Sequence, residues 1–402
     1  MTTTKTQRTG ATGREEFDEG RMRRERLARA QAGLRNRGLS AALLFDPNNV
    51  RYTTSIGVAV VENLHVPSRW ALVPAEGEPV LWEYEDALHL ATNRFGGDVR
   101  PAHGFTFFGS GSNTARHATR FAAELADALR ELALDGAPLG VDRVSAVAFL
   151  ALQAEGIVVA DAQPAIEEAR SVKTVDEQLL LRRNAAICDR AVEAMRAAIE
   201  PGVTENQLWA GFLGSALSEG AEYCETRLLA SGPRTNPWMQ EASDRVVKNG
   251  DLVGLDTDLV GRDGYLTDYS RTYLCGDGRP TDEQRRLYTI AYEFVHEAIV
   301  EFVPGASFRE LGERLGPRLG DEFQQQRYPF VAHGSGLADE WPAVVFEDHH
   351  DGEVQAGMSI SVEAYVGAVG GSDGVKFEEQ IIVTEHGPEV ISGASHDDRL
   401  LA

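Results

Sequence analysis

The C-terminal part of the chain contains one helical pattern twice, the copies lying about 100 residues apart. Pro201-Gly-Val-Thr204 and Pro304-Gly-Ala-Ser307 each follow a long segment with helical periodicity. In each copy the Pro-Gly pair ends one helix, and the Thr or Ser caps the next. Capping boxes at residues 174–177 and 281–284 open the two preceding helices. We therefore predict two related halves, each with two helices followed by strands, and a site between the halves.

The N-terminal part has a different pattern, in which short buried strands alternate with helices. Residues 41–45 are predicted to form a strand that ends in a turn at 46–49, and residues 70–73 and 80–82 a hairpin. Residues 20–38, 115–134 and 144–155 have helical periodicity. We predict an α/β domain over 16–168, an α+β domain with an internal pseudo-twofold duplication over 169–402, and a disordered tail at 1–15.

The composition restricts the class of partner. The 402 residues include 39 Lys and Arg against 62 Asp and Glu, a formal charge of −23. This balance disfavours nucleic acid and anionic membranes and is compatible with a cationic small molecule. No run of apolar residues is long enough to predict a membrane span. Three dispersed cysteines without a C-x-x-C motif predict reduced thiols in a cytoplasmic protein.

Six side chains in the C-terminal part are candidate metal ligands. Two of them, Asp256 and Asp258, lie two positions apart in an alternating segment, so a continuous strand would point both to one face. Glu363 and Glu378 occupy apolar strands, where an unpaired carboxylate is costly. Carboxylates with one imidazole suit Fe, Mn, Co or Zn. The predicted ligands of a metal pair are Asp256, Asp258, Asp268, His333, Glu363 and Glu378.

The order of these residues resembles the creatinase/aminopeptidase P/methionine aminopeptidase superfamily, which has the pita-bread fold. The motifs that carry the resemblance are Gly264-Tyr265 with Asp268, Arg271-Thr272, His333-Gly-x-Gly, Glu363 and Glu378. The resemblance covers nearly the whole chain and implies a creatinase-like N-terminal domain followed by a pita-bread catalytic domain.

Three departures separate the chain from the peptidases of that superfamily. Asp339-Glu340-Trp341-Pro342 stands where peptidases have His-Glu-x-Pro, and Trp238 stands near a second peptidase histidine. Asp256 and Asp258 lie twelve and ten residues before Asp268, whereas the peptidase spacing is eleven. Together with the block at 225–238, these departures resemble the DddP-type dimethylsulfoniopropionate lyases.

This second resemblance implies a function and roles for particular residues. It implies two metal ions, which are iron in that family, with Mn, Co or Zn as alternatives, and a homodimer. It implies a catalytic base at Asp339 with Tyr328 nearby, and cleavage of the substrate to dimethyl sulfide and acrylate. Aromatic faces bind cations, and Trp238 and Tyr328 are the favoured contacts for the sulfonium because they lie beside the matched motifs. The other aromatic candidates are Tyr223, Trp341 and Tyr365. Arg234 either binds the substrate carboxylate or forms an ion pair within the protein.

Three alternative functions remain open on the sequence. The first is a metal-dependent hydrolase of the same superfamily, an Xaa-Pro peptidase or an amide or amidine hydrolase. Glu340 or His349-His350 would then replace the missing peptidase histidines. The second is a binding module without catalysis, and the third is a lyase for another β-substituted acid.

Overall fold

The computed structural model describes residues 16–57 and 68–401. The tail predicted at 1–15 lies outside the described residues. The helices are α1 Glu19–Asn36, α2 Pro47–Thr54, α3 Leu88–Phe95, α4 Phe107–Ser110, α5 Thr114–Glu131, α6 Ala146–Ala154, α7 Gln163–Ser171, α8 Val175–Ala197, α9 Glu205–Ser218, α10 Asp282–Ile299 and α11 Phe308–Leu315.

The strands alternate with these helices in the N-terminal part and cluster after helix pairs in the C-terminal part. They are β1 Ala41–Leu44, β2 Trp70–Pro74, β3 Val80–Tyr84, β4 Asp98–Ala102, β5 Leu139–Val141, β6 Val159–Asp161, β7 Tyr223–Cys224, β8 Leu229–Ser231, β9 Leu252–Asp256, β10 Leu259–Val260, β11 Leu266–Thr267, β12 Ser270–Leu274, β13 Phe330–Ser335, β14 Asp339–Val345, β15 Ser359–Val366, β16 Val375–Thr384 and β17 Gly387–Val390.

The N-terminal domain contains one mixed sheet with the strand order β4-β3-β2-β1-β5-β6. The predicted hairpin is confirmed, because β2 and β3 pair antiparallel with Trp70 opposite Trp82. Strands β1, β5 and β6 run parallel to one another, connected through helices. This is the α/β arrangement that the alternation of strands and helices predicts.

The C-terminal domain repeats a pair of helices followed by strands, as the duplicated pattern predicts. Thr174, Thr204 and Thr281 each form a capping box, and Ser307 caps α11 by accepting a hydrogen bond from the Glu310 N–H. The first half ends in the sheets β11-β10-β7 and β12-β9-β8, and the second in the sheet β14-β13-β15-β16-β17. The apolar stripe of α10, which includes Leu287, packs into the core beside β15 and β16.

The two halves meet where β12 lies against β16. The guanidinium of Arg271 donates to the carbonyl of Glu378 at 2.8 Å, and the hydroxyl of Thr272 donates to the carbonyl of Lys376 at 2.9 Å. These buried hydrogen bonds hold the edge of one half against a central strand of the other. They place the candidate ligands of both halves around one point.

Two local predictions are wrong. Residues 46–49 form no isolated turn: Asp46 caps α2, its side chain accepting from the N–H groups of Asn48 and Asn49. Residues 253–260 form no continuous strand, since β9 ends at Asp256 and the backbone of Asp258 has a φ of 36°. Within the described part of the chain, no helix has both the length and the apolar character that crossing a membrane requires.

Candidate metal centre

The six predicted ligands converge on one place, although they come from different strands and turns. Asp256 is the last residue of β9, and Asp258 lies in the bend between β9 and β10. Asp268 lies between β11 and β12, at the base of a hairpin. His333, Glu363 and Glu378 come from the adjacent strands β13, β15 and β16. All six side chains are buried. The strand break at Asp258 does not separate it from Asp256, because both still lie in one group with Asp268.

The imidazole of His333 lies among carboxylates from both halves. Its Nε2 atom is 3.2 Å from Glu363 Oε1, 3.4 Å from Asp268 Oδ2 and 3.8 Å from Glu378 Oε1. Glu363 and Glu378 are direct partners in the β15–β16 ladder. Like charges directly opposite each other in a sheet repel, so this pair requires a cation between or beside the two carboxylates.

Lys376 supplies one such cation, and the sequence analysis missed it. Its Nζ atom lies 2.8 Å from Glu363 Oε2, 2.8 Å from Glu378 Oε2 and 3.2 Å from Asp256 Oδ2. The hydroxyl of Ser270 contacts Asp256 and Glu378, at 2.8 Å each. Lys376 precedes Glu378 by two positions in β16, so strand alternation puts both side chains on one face. That spacing was the available signal.

One ammonium does not balance the five carboxylates of the cluster. Burial and the neighbouring Asp256 raise the pKa of Asp258 to about 8. Burial also raises the pKa of Asp268 and Glu378 well above their usual values. Burial alone would lower the pKa of His333, but Glu363 and Asp339 outweigh it and raise that pKa to about 10. The site therefore retains protons unless further cations enter it.

The donor set fits metal ions. Asp268, His333 and Glu378 form one three-residue group, and Asp256, Asp258 and Asp268 form a second; within each, the ligand atoms lie within 4.8 Å of one another. Asp268 belongs to both groups. Among the residues that the structure describes, none donates a hydrogen bond to the buried Oε1 of Glu378. Oxygen ligands with one imidazole match Fe, Mn, Co or Zn, and a cation there would also relieve the repulsion between carboxylates.

Asp339 lies beside this cluster on the wall of a cavity of about 670 Å³. Its side chain is 56% exposed, and its Oδ1 atom is 3.6 Å from His333 Nδ1. Partial desolvation at the cavity wall raises the pKa of Asp339; Glu363 and Asp256 add to the rise, and His333 opposes it. The cavity is lined on the catalytic side by His333, Asp339 and Trp341, and on the side of the N-terminal domain by Asp161, Glu167 and Glu168. These last three acidic residues were not predicted, because they come from the other domain.

The neighbouring Glu340 points to different partners. Arg170 binds its Oε2 atom through Nε at 2.9 Å, and Lys173 binds its Oε1 atom. The carboxylate also covers Gly336, where an added Cβ would lie 2.1 Å from Glu340 Oε1. This explains the second glycine of the His-Gly-x-Gly motif. Both basic residues of this buried cluster come from the segment that joins the two domains.

The remaining predicted site residues are distributed differently. Trp341 lines the cavity. Tyr328 is half-buried, and the Lys376 ammonium lies 5.1 Å from the centre of its ring. Trp238 is buried, stacks on Tyr365 at 6.2 Å and packs against Gly254. Arg234 pairs with the buried Glu205 and donates to the carbonyl of Glu241 at 2.8 Å, which is the ion-pair alternative left open above.

Comparison with known families agrees with this arrangement. Residues 26–172 match the model of the Creatinase/Prolidase N-terminal domain, and residues 180–385 match that of metallopeptidase family M24. The chain belongs to metallopeptidase family M24. M24 enzymes typically use two metal ions, and the acidic cluster with His333 is the group in this chain that could hold them. The predicted family and fold class are therefore confirmed.

Relatives of known name divide into lyases and peptidases. The dimethylsulfoniopropionate lyase DddP of Roseovarius nubinhibens is 35% identical over 96% of this chain and 88% of that protein. The lyase of the same name from Roseobacter denitrificans is also 35% identical, with the same coverage. An Xaa-Pro dipeptidase of Pyrococcus furiosus is 29% identical, over 55% of this chain and 63% of that enzyme. These relatives confirm the prediction of an enzyme.

Solved structures show the same fold. The prolidase of Pyrococcus horikoshii covers 92% of this chain and 99% of its own, with a TM-score of 0.74 and 22% identity. Aminopeptidase P of E. coli covers 96% of this chain and 99% of its own, with a TM-score of 0.71 and 19% identity.

The position of Asp268 in both ligand groups gives a test of the metal centre. Asp268→Asn should lower the metal content of the purified protein from two ions per chain to one or none, because the amide is a far weaker metal ligand. Asp263→Asn is the matched control, since Asp263 lies in the same hairpin and asparagine tolerates its φ of 57°. The measurement is the metal content of both purified variants. An unchanged metal content in Asp268→Asn would show that Asp268 is not a metal ligand.

Proposed function

We propose that this enzyme is a metal-dependent lyase that converts dimethylsulfoniopropionate to dimethyl sulfide and acrylate. The observation that carries the proposal is the position of Asp339, which lies exposed on the cavity wall within 3.6 Å of the candidate ligand His333. The 35% identity to two lyases named for this reaction, over 96% of the chain, supports the same function.

Asp339 would act as the base of a β-elimination. Its carboxylate takes the proton from the carbon next to the substrate carboxylate, and the electrons of that C–H bond form the carbon–carbon double bond. The C–S bond breaks, and dimethyl sulfide leaves with the electron pair of that bond. The exposed position of Asp339 on the cavity wall lets this carboxylate reach a bound substrate. Metal ions held by the six ligands would bind the substrate carboxylate and stabilise its developing charge.

Each candidate replacement for the peptidase histidines has another contact in this structure. A hydrolase needs a group that handles the proton of the attacking water and of the leaving amine. Glu340, the first candidate replacement for the peptidase histidines, is bound by Arg170 and Lys173. His349 bonds through Nδ1 to the carbonyl of Val345 at 3.0 Å, and His350 packs edge-on against Trp341.

The cavity suits a cationic substrate with a carboxylate. Its wall from the N-terminal domain carries Asp161, Glu167 and Glu168. Glu168 pairs with Arg37 and Glu167 contacts Arg170, so Asp161 is the carboxylate of this wall that would attract a sulfonium ion. Trp341 lines the same cavity and offers an aromatic surface to that cation. We keep Tyr328 as a pocket residue, with one side of its ring facing Lys376, and Trp238 as packing behind it. We do not include Arg234 among the substrate contacts, because Glu205 neutralises it.

Three further elements of the proposal rest on the family and on composition. We propose iron as the native metal and a homodimer as the assembly, as in the DddP-type lyases. We also propose a cytoplasmic location, which fits the three free thiols of Cys188, Cys224 and Cys275.

A product assay tests the reaction directly. Metal-loaded enzyme incubated with dimethylsulfoniopropionate should release dimethyl sulfide into the headspace and an equal amount of acrylate into solution. The same preparation incubated with an Xaa-Pro dipeptide should release no free proline. Release of proline without dimethyl sulfide would contradict the lyase proposal and indicate a peptidase. If neither product forms, other β-substituted acids become the candidate substrates.

A further inference from the structure

A second group of potential metal ligands lies outside the catalytic cluster. His296 near the end of α10, Glu379 on β16 and His396 after β17 each offer a ligand atom, and these atoms lie within 4.8 Å of one another. The segments that carry them are far apart in the chain. Glu379 follows Glu378 directly, so strand alternation turns it away from the catalytic ligands toward the opposite face of the sheet.

The orientations of His296 and Glu379 are already fixed by partners outside the group. The Nδ1 atom of His296 donates to the carbonyl of Tyr292 at 2.8 Å, which leaves the lone pair on Nε2. Metal-binding histidines commonly donate their other nitrogen to a carbonyl in this way. The imidazole also stacks on the ring of Tyr292 at 4.0 Å, which restrains its rotation.

Glu379 is held with one oxygen toward the histidines. Arg271 donates to its Oε2 atom at 2.9 Å, and the hydroxyl of Ser392 contacts the same oxygen. The other oxygen, Oε1, lies 2.9 Å from His396 Nε2. Glu379 is 2% exposed, whereas the side chain of His396 is 25% exposed, so an ion could reach the group from solvent.

We propose that His296, Glu379 and His396 form a separate binding site for one divalent transition-metal ion. Two imidazoles and a carboxylate are a borderline ligand set that suits zinc, and also cobalt, nickel or copper. A tetrahedral zinc ion needs ligand atoms about 3.3 Å apart, a spacing that small side-chain rotations would produce. The bound ion would fasten the C-terminal segment to α10 and β16. Through Arg271, which also donates to the Glu378 carbonyl, it would support the back of the catalytic strand.

Zinc stoichiometry separates this proposal from an ordinary Glu379–His396 ion pair. In equilibrium dialysis with zinc, the unaltered enzyme should bind one more zinc ion per chain than the His296→Ala or His396→Ala variant. His386→Ala, at an exposed turn, should bind as many as the unaltered enzyme. The criterion is a difference of one ion, so it holds whatever the catalytic cluster binds. Equal stoichiometry in all four proteins would overturn the proposal.

Thermal unfolding provides a second measurement that does not depend on counting. Zinc added beyond the catalytic load should raise the Tm of the enzyme, because an ion that binds the folded state stabilises it. The rise in Tm should be absent in His296→Gln and His396→Gln. Glutamine keeps most of the volume of histidine, so these variants are less prone to misfolding than the alanine variants. An equal rise in these variants would also overturn the site.

Discussion

Asp339→Asn is expected to lower the turnover of dimethylsulfoniopropionate by about 10²–10⁴-fold, the contribution typical of a general base. Asparagine has nearly the same shape but cannot accept the α-proton at any pH. Asp339 is the exposed carboxylate of the cavity wall that lies against His333, so this substitution removes the proposed base without changing any of the six candidate ligands. The measurement is the initial rate of dimethyl sulfide release by the metal-loaded variant at saturating substrate.

Metal content and a matched carboxylate provide the controls for this variant. Asp339→Asn should retain the metal content of the unaltered enzyme, which separates loss of the base from loss of the metal centre. Asp161→Asn removes a carboxylate from the opposite wall of the same cavity. Because Asp161 is proposed to attract the substrate, this variant should raise KM while its kcat stays close to normal. A normal rate in metal-replete Asp339→Asn would reject Asp339 as the base.

Glu340→Gln is expected to lower the free energy of unfolding by about 3–5 kcal/mol, because it breaks a buried ion cluster from one side. The side chains of Arg170 and Lys173 are 5% and 1% exposed, and Glu340 is the carboxylate that both contact. The variant leaves these two cations buried without their shared counter-charge. Because the basic residues follow β6 and Glu340 lies on β14, the loss should also loosen the contact between the domains. Urea-induced unfolding of the enzyme measures the change.

Glu167→Gln is the matched control, since Glu167 also contacts Arg170, at 3.5 Å, but its side chain is 29% exposed. It should cost less than about 1 kcal/mol, as partly exposed ion pairs do. Replacing Lys173 and Glu340 together by methionine should recover part of the loss, because no unpaired lysine remains. Equal effects of Glu340→Gln and Glu167→Gln would show that the buried cluster contributes no more than a surface pair.

The pH dependence of this stability has a definite sign. Burial alone would raise the pKa of Glu340, but Lys173 and Arg170 outweigh it and hold that pKa below its usual value. A carboxyl whose folded pKa is lowered contributes stability above its unfolded pKa, about 4.3. That contribution is lost as the pH falls through the folded pKa. The stability difference between the enzyme and Glu340→Gln should therefore narrow in acid.

Local patterns were sufficient for the long helices and for choosing the candidate ligands. A capping box involves residues three apart in one segment, so Thr174, Thr204 and Thr281 could be recognised without a fold. The carboxylates at Glu363 and Glu378 were conspicuous because each interrupts an apolar strand. The tertiary structure brings all six predicted ligands together.

The errors arose where a local pattern is compatible with two structures. An Asp-Pro pair can begin either a turn or a helix. After Asp46 the chain forms the helix α2, because the helix buries Val50 and Tyr52. Alternation at 253–260 predicted a strand, but the chain bends at Asp258 to enter the β10–β11 hairpin. Asp256 and Asp258 still share a site, by a route that strand alternation does not describe.

By itself, the sequence determined the domain order and the duplicated helix pairs, because these depend on residues that are near neighbours in the chain, and it supplied six candidate ligands. Only the tertiary structure decided the partners. It assigned Lys376 to three carboxylates, Glu340 to Arg170 and Lys173, and the acidic wall of the cavity to the other domain. Burial and charge–charge contacts depend on where distant segments meet, and that information is absent from any local pattern.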